Sequence, residues 1–396
     1  MSDFQDYCAA RLKDVQNKGW YKQEHVLKSP QDTKINTGDK TKLLNFASNN
    51  YLGLANHPVV VSAIAEVVRG YGFGTASERS VSGTHDIHKN FEQYLAKFLQ
   101  VDDVLLCNSC FEANIGLFEA LFDENDAIIG DSQNHISILN GIRLSEAASF
   151  QYEHVDLEDL ETQLQAAQHF RYRIIVTEGA FRIDGEVAPL DKIAELAQKY
   201  KALLMINDSH GTGVLGANGR GTGEHFDVMD KIDIITSTLS KALGGGGGGF
   251  IASHQSIIDF LRQRLTSYVH ANAVTPAEIA GGMKALEIVH GSEIMRQRIA
   301  ENREYFLKGM ADMGYVVKPG IHPIAPVLIQ DAELMQKIVE NLFEQGIFVA
   351  GLSYPDVPQD QAQIRIQFTS AHKKVDVVVL LNAFGRVGKK LGLIKQ

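Results

Sequence analysis

The sequence predicts an α/β fold: a large domain on a mainly parallel sheet, followed by a smaller C-terminal α/β domain. Three observations lead there. Between Val104 and Ala252, short apolar runs alternate with helix-length segments. In these runs the apolar residues are consecutive rather than alternate, the mark of strands covered on both faces. After about His290 the pattern changes to a second, distinct block of strands and helices, which reads as a smaller domain.

Residues 1–55 hold no such run and form an N-terminal arm, 56–290 the large domain, and 291–396 the small one. The large-domain strands are expected at Val104–Cys107, Ala127–Gly130, Arg173–Thr177, Leu203–Ile206, Asp233–Thr236 and Gly249–Ala252. A helical connector follows near Ala277–His290. The small domain should then run as a helix over Glu301–Met313, strands at Tyr315–Val317 and Pro326–Ile329, a helix over Leu334–Gln345, strands at Ile347–Ala350 and Ile364–Phe368, and a last amphipathic helix.

Composition narrows the function. The chain has 396 residues, 44% hydrophobic and 22% charged, with a formal net charge of -10. That balance fits a globular protein and excludes disorder. No basic run could track a phosphate backbone, so nucleic acid is not an expected partner. No apolar stretch approaches the ~20 residues a bilayer span needs, and the start MSDFQDYCAA lacks a secretory pattern, so a cytoplasmic protein is expected. Three cysteines, Cys8, Cys107 and Cys110, suit a reducing compartment.

In open parallel sheets the ligand site forms at the carboxyl ends of the strands. The residues following each run there are Asn108–Cys110, Asp131–His135, Glu178, Asn207–His210 and Thr238–Lys241. Lys241 stands between hydroxyl residues and the six glycines Gly244–Gly249, where flexible backbone lets an anionic group come close to an amine. Asn207–His210 brings polar groups and an imidazole to the same rim, and His135 brings another. Each has a plainer reading alone: a surface lysine, a capped turn, a structural histidine. Cys107 and Cys110 have C-x-x-C spacing, but no second pair supports a metal site, and no metal is expected. Ser109–Asn114 reads better as a helix N-terminus whose free N–H groups hold a phosphate. Glu178 and Asp184 are weaker candidates, since carboxylates at strand ends also serve as loop caps.

Taken in order, Asn49–Leu54, Ser82–Thr84 with His88, SCFEAN from Ser109, Asn134–His135, FRIDG from Phe181, DSHGTGVLG from Asp208, TLSKALGG from Thr238 and IRIQFTSAH from Ile364 resemble the α-oxoamine synthases. These are pyridoxal-phosphate (PLP) enzymes of fold type I that condense an amino acid with an acyl-CoA. The likeness spans nearly the whole chain and is strongest to the branch that joins glycine to acetyl-CoA. It implies a transferase, a cofactor site in the cleft between the domains, and a homodimer with shared active sites.

It also implies roles. Lys241 would hold the cofactor as a Schiff base and then move the substrate's α-proton. His135 would stack on the pyridine ring, and His210 would bond its phenolic oxygen. Ser109, Cys110, Phe111 and Thr238 would hold the phosphate, Arg365 would clamp the substrate carboxylate, and Asn50 would help close the substrate pocket. Glu178 joins this cofactor set as the carboxylate at its strand end.

Two cofactor positions depart from the family. An aspartate that pairs with the pyridine nitrogen is replaced by Asn207, which weakens the electron sink by about 1.4 kcal/mol per unit of lost pyridine pKa. Arg182 stands where the family has serine. In the segment Tyr268–Ala273, Ala271 and Ala273 replace small hydroxyl residues that in relatives reach the neighbouring subunit's phosphate, and His270 replaces phenylalanine. These changes keep two other readings open: a PLP-dependent carbon–carbon lyase or decarboxylase on the same scaffold, and a non-catalytic partner subunit of an active homologue.

Overall fold

The computed structural model describes residues 2–18, 20–21, 24–38 and 40–394. An exposed helix, Ser2–Asn17, leads into β1 (Lys34–Thr37) and β2 (Lys40–Asn45). The large sheet follows as β3 (Asp103–Cys107), β4 (Ala127–Asp131), β5 (Ala148–Tyr152), β6 (Arg173–Glu178), β7 (Leu203–Asn207), β8 (Ile234–Thr238) and β9 (Gly249–Ser253). Its order is β3-β9-β8-β7-β6-β4-β5. β9 runs antiparallel to both of its neighbours, and the other pairs are parallel. The mainly parallel sheet expected from sequence is therefore present.

Alternation along each strand divides the core in two. Leu106, Ile129, Ile175, Leu204 and Ile235 face one layer. Leu105, Ile128, Ile174, Met205 and Ile234 face the other. Both layers are covered by helices, among them Leu190–Tyr200 on the first and Cys110–Leu121 on the second.

β5 was not expected. It is one of the two edge strands, its sequence ASFQY alternates, and only Tyr152 of its five residues is buried, so it lacks the continuous apolar run that reveals its neighbours.

The C-terminal block holds β10 (Ile324–Gln330), β11 (Ile347–Phe348), β12 (Ala350–Leu352) and β13 (Ala362–Gln367). It differs from the expectation in two places. Tyr315–Val317 is not a strand, since only Val317 bridges to Val327. The run Ile347–Ala350 divides at Val349: β11 pairs in parallel with β2 of the N-terminal segment, while β12 pairs with β13. The N-terminal segment is thus stitched to the C-terminal block. That contact sets Asn49 beside Gln367, whose Nε2 donates to Asn49 Oδ1 at 2.6 Å.

Candidate active site

The carboxyl ends of β3, β6, β7 and β8 converge with the loop after β4 and with β13 around a cavity of about 360 Å³. Ser109, Cys110, Phe111, His135, Glu178, Arg182, Asn207, His210, Thr238, Lys241 and Arg365 all line it. Asn50 does not. It is buried in its own loop, where Oδ1 accepts the Ala55 N–H at 3.1 Å, and the neighbouring Asn49 lines the cavity instead. Asp184 is also elsewhere, ion-paired with Lys318 at 2.6 Å. His88 is a buried structural histidine 2.7 Å from the Val274 carbonyl.

One wall is the start of the helix Cys110–Leu121. Ser109 caps it, its Oγ accepting the Glu112 N–H at 3.0 Å. The first-turn N–H groups of Cys110 and Phe111 have no intrahelical acceptor, and they face an anion-favouring dipole end. Opposite them Thr238 Oγ1 donates to the Gly248 carbonyl and accepts the Ser240 N–H, both at 3.1 Å.

The glycine run has a structural reason at this wall. Gly248 lies at φ +104°, and a Cβ on Gly249 would come within 2.2 Å of the Cys110 nitrogen. Gly246, by contrast, has open space around it. We expect Gly249→Ala to lower stability by about 1–3 kcal/mol through overpacking, and Gly246→Ala to stay within about 0.5 kcal/mol. Parallel thermal unfolding of the two variants checks this, and equal midpoints would refute it.

The charges are arranged for an anion. Lys241 has no hydrogen-bond or ion-pair partner among the described residues. Burial holds its ammonium below the ordinary lysine value, and Arg365 and Arg182 oppose Glu178 in pushing it further. Glu178 is buried at the end of β6 with Oε1 unpartnered among the described residues, and burial pushes it up to about 8 against the pull of Lys241 and Arg182. Arg365 reaches in from β13, its Nη1 donating to the Arg182 carbonyl at 2.9 Å while its buried Nε has no partner among the described residues.

The imidazoles are neutral. Burial, then Arg182 and Lys241, lower His135 to about 4. Its Nδ1 accepts the Ser137 N–H at 3.3 Å, and Phe111 meets its ring edge-on. Burial lowers His210 far below its ordinary value. His210 Nδ1 lies 2.8 Å from the Tyr51 hydroxyl, and its carbonyl lies 2.9 Å from His322 Nε2, which leaves Nε2 for the cavity.

Sequence reasoning did not single out Asn49, Asn114, Ser137, Ser209 or Ser240, which also line the space. Asn49, Asn114, Ser209 and Ser240 lie inside the quoted motifs and Ser137 two residues after His135, which is the signal that could have found them. Cys107 and Cys110 are both free and buried. No group of residues suited to a metal occurs among those described.

A lysine-centred, anion-seeking cavity at the strand ends of such a sheet defines a class of cofactor-dependent enzyme. The chain belongs to the class I and II aminotransferase family, whose profile matches residues 41–384, and within it to the α-oxoamine synthases. It is 42% identical over 394 residues to the 2-amino-3-ketobutyrate coenzyme A ligase of Escherichia coli K12, covering 99% of each chain. It is 39% identical over 386 residues to the 8-amino-7-oxononanoate synthase of Thermosipho melanesiensis, covering 98% of each. Among solved structures it matches the serine palmitoyltransferase of Sphingomonas wittichii with a TM-score of 0.93 at 25% identity, covering 100% of this chain and 99% of that one.

Proposed function

We propose that this chain is a pyridoxal-phosphate-dependent acyltransferase that condenses a glycine-like amino acid with an acetyl-CoA-like thioester to give a β-keto amino acid or an α-amino ketone. The observation that carries the reading is the charge balance of the cavity. Lys241, Arg182 and Arg365 face it against one acid, Glu178, and the buried Arg365 Nε has no acceptor. A phosphate ester together with a substrate carboxylate supplies the missing negative charge, so these residues fit the cofactor.

When bound, pyridoxal phosphate supplies an aldehyde carbon that condenses with amines and a conjugated ring that withdraws electrons from the α-carbon. The residues divide the remaining work. The N–H groups of Cys110 and Phe111, with the Ser109 hydroxyl, would hold the phosphate, and Thr238 would join them by turning its hydroxyl away from the Gly248 carbonyl. Lys241 Nζ would hold the aldehyde carbon, and the free amine would be the neutral base for the α-proton. Its lowered pKa suits that task. His135, uncharged, would cover the ring face, and His210 Nε2 would meet the phenolic oxygen. Arg365 receives the substrate carboxylate in a two-pronged, charge-assisted contact.

The same reading makes the protein a cytoplasmic homodimer. No described helix is long and apolar enough to cross a membrane. Phe73 and Val81 are 80% and 75% exposed. They flank Ser77, whose carbonyl accepts the Ala273 N–H, and the adjacent Asn272 bonds Asn108 at the cavity edge. A second copy covering these side chains would also close the site.

Release of free CoA thiol that depends on both an amino acid and an acyl-CoA tests the function. Thiol release supports the condensation. An amino-acid-dependent spectral change with carbon–carbon cleavage or CO2 loss and no thiol release would replace it with lyase or decarboxylase chemistry.

A further inference from the structure

We infer that Asn207 donates an N–H from its amide to the cofactor's ring nitrogen, so that the ring is bound with this nitrogen unprotonated. The inference rests on the cofactor site proposed above and concerns how that site sets the ring's electronic state.

The orientation of the Asn207 amide carries the argument. The backbone N–H of Ser209 donates to Asn207 Oδ1 at 3.2 Å, and the Ser209 hydroxyl reaches the same atom at 2.6 Å. A backbone N–H can only donate, so the atom it meets is the oxygen, and the usual O/N ambiguity of an amide is removed. The Cys110 thiol also approaches this oxygen, at 3.6 Å. Nδ2 is therefore turned away from Ser209, and it has no acceptor among the described residues. Asn207 is buried in the cavity lining. A carboxamide N–H offered to a pyridine nitrogen satisfies both groups only if that nitrogen keeps its lone pair.

No neighbouring group makes up for the absent charge. Asp208 follows directly, but it turns to the other side of the strand. Its carboxylate takes the Thr222 hydroxyl at 2.6 Å and the Thr222 N–H at 3.0 Å. Glu178 is the one carboxylate among the lining residues, and burial keeps it protonated to about pH 8. Lys241, Arg182 and Arg365 share the cavity. A protonated ring nitrogen would add a further cation to this set and would meet an N–H donor head-on. Ser209 is a positioning residue in this scheme, because its two donors fix which end of the amide faces the ring.

The test is the 15N resonance of holoenzyme reconstituted with pyridoxal phosphate labelled at the ring nitrogen, read together with the pH titration of its visible absorption. Wild type should show a neutral-pyridine resonance that does not move from about pH 6 to 9, a window on both sides of neutrality in which an ordinary histidine would finish titrating. Asn207→Asp should move the resonance to the pyridinium range. A pyridinium resonance in wild type overturns the inference without any variant. If that resonance then becomes neutral in Glu178→Gln, the carboxylate of Glu178 occupies the role assigned here to the amide. Borohydride reduction and peptide mapping separate the two levels of the argument. An unlabelled Lys241 refutes the cofactor site itself, whereas a labelled Lys241 with a protonated ring refutes this inference alone.

Discussion

Lys241→Ala loses the visible absorption of the lysine-bound cofactor and lowers kcat/KM by at least about 10³-fold, within the range that a positioned acid–base group supplies. Two functions go together in this variant, covalent holding and proton transfer, so adding an external amine should restore part of the second but none of the first. Stability should not fall, because the ammonium is buried without a partner among the described residues and its burial is unfavourable. The variant also has a measurable electrostatic consequence. Glu178 is pushed up to about 8 by burial and pulled down by Lys241. Removing the cation leaves the carboxyl protonated to a higher pH still. A pH titration of the Glu178 carboxyl by infrared difference spectroscopy reads that shift. Wild-type turnover in Lys241→Ala would end the mechanism. An unmoved Glu178 would mean that the two groups do not share the cavity as described.

The outline of this fold is legible in the sequence wherever burial is two-sided. β4, β6, β7 and β8 carry consecutive apolar residues because helices cover both faces of the sheet, and their ends are predicted to within a residue or two. The legibility stops where that condition lapses. β5 is a half-exposed edge strand, and Tyr315–Val317 has the composition of a strand but only one bridging partner, Val327. The division at Val349 depends on β11 pairing with β2, some 300 residues away. No local pattern encodes that contact.

The cavity residues follow the same logic. Lys241, Glu178, Asn207 and His210 were readable because strand ends converge by topology. Asn49 and Asn50 lie in an irregular segment with no period. Which of two adjacent asparagines faces the cavity is decided by Gln367 holding one and the Ala55 N–H holding the other. In the sequence the glycine run signals flexibility alone, but Gly249 is required by the close approach of Cys110, a tertiary contact invisible in the run itself.

Arg365→Ala should raise the KM for the amino acid and lower kcat/KM by about 10²-fold, equivalent to about 3 kcal/mol for two lost charge-assisted hydrogen bonds. The KM for the acyl-CoA should change little. The structure shows why the side chain is ready for this contact. Nη1 is held by the Arg182 carbonyl, which fixes the plane of the guanidinium, and the buried Nε is left without an acceptor. A substrate carboxylate therefore meets a donor that has already lost its water and most of its rotamer freedom. Arg365→Lys separates charge from geometry: it keeps the cation but loses the planar fork, so most of the loss should remain. Stability should change by about 1 kcal/mol or less, since one hydrogen bond to a carbonyl is lost while the burial of a partly unsatisfied cation is relieved. Steady-state kinetics with both substrates varied decides the matter. An unchanged amino-acid KM in Arg365→Ala would move the carboxylate contact to Arg182, the other guanidinium lining the cavity, and the double variant would then show a loss that Arg182→Ala alone already accounts for.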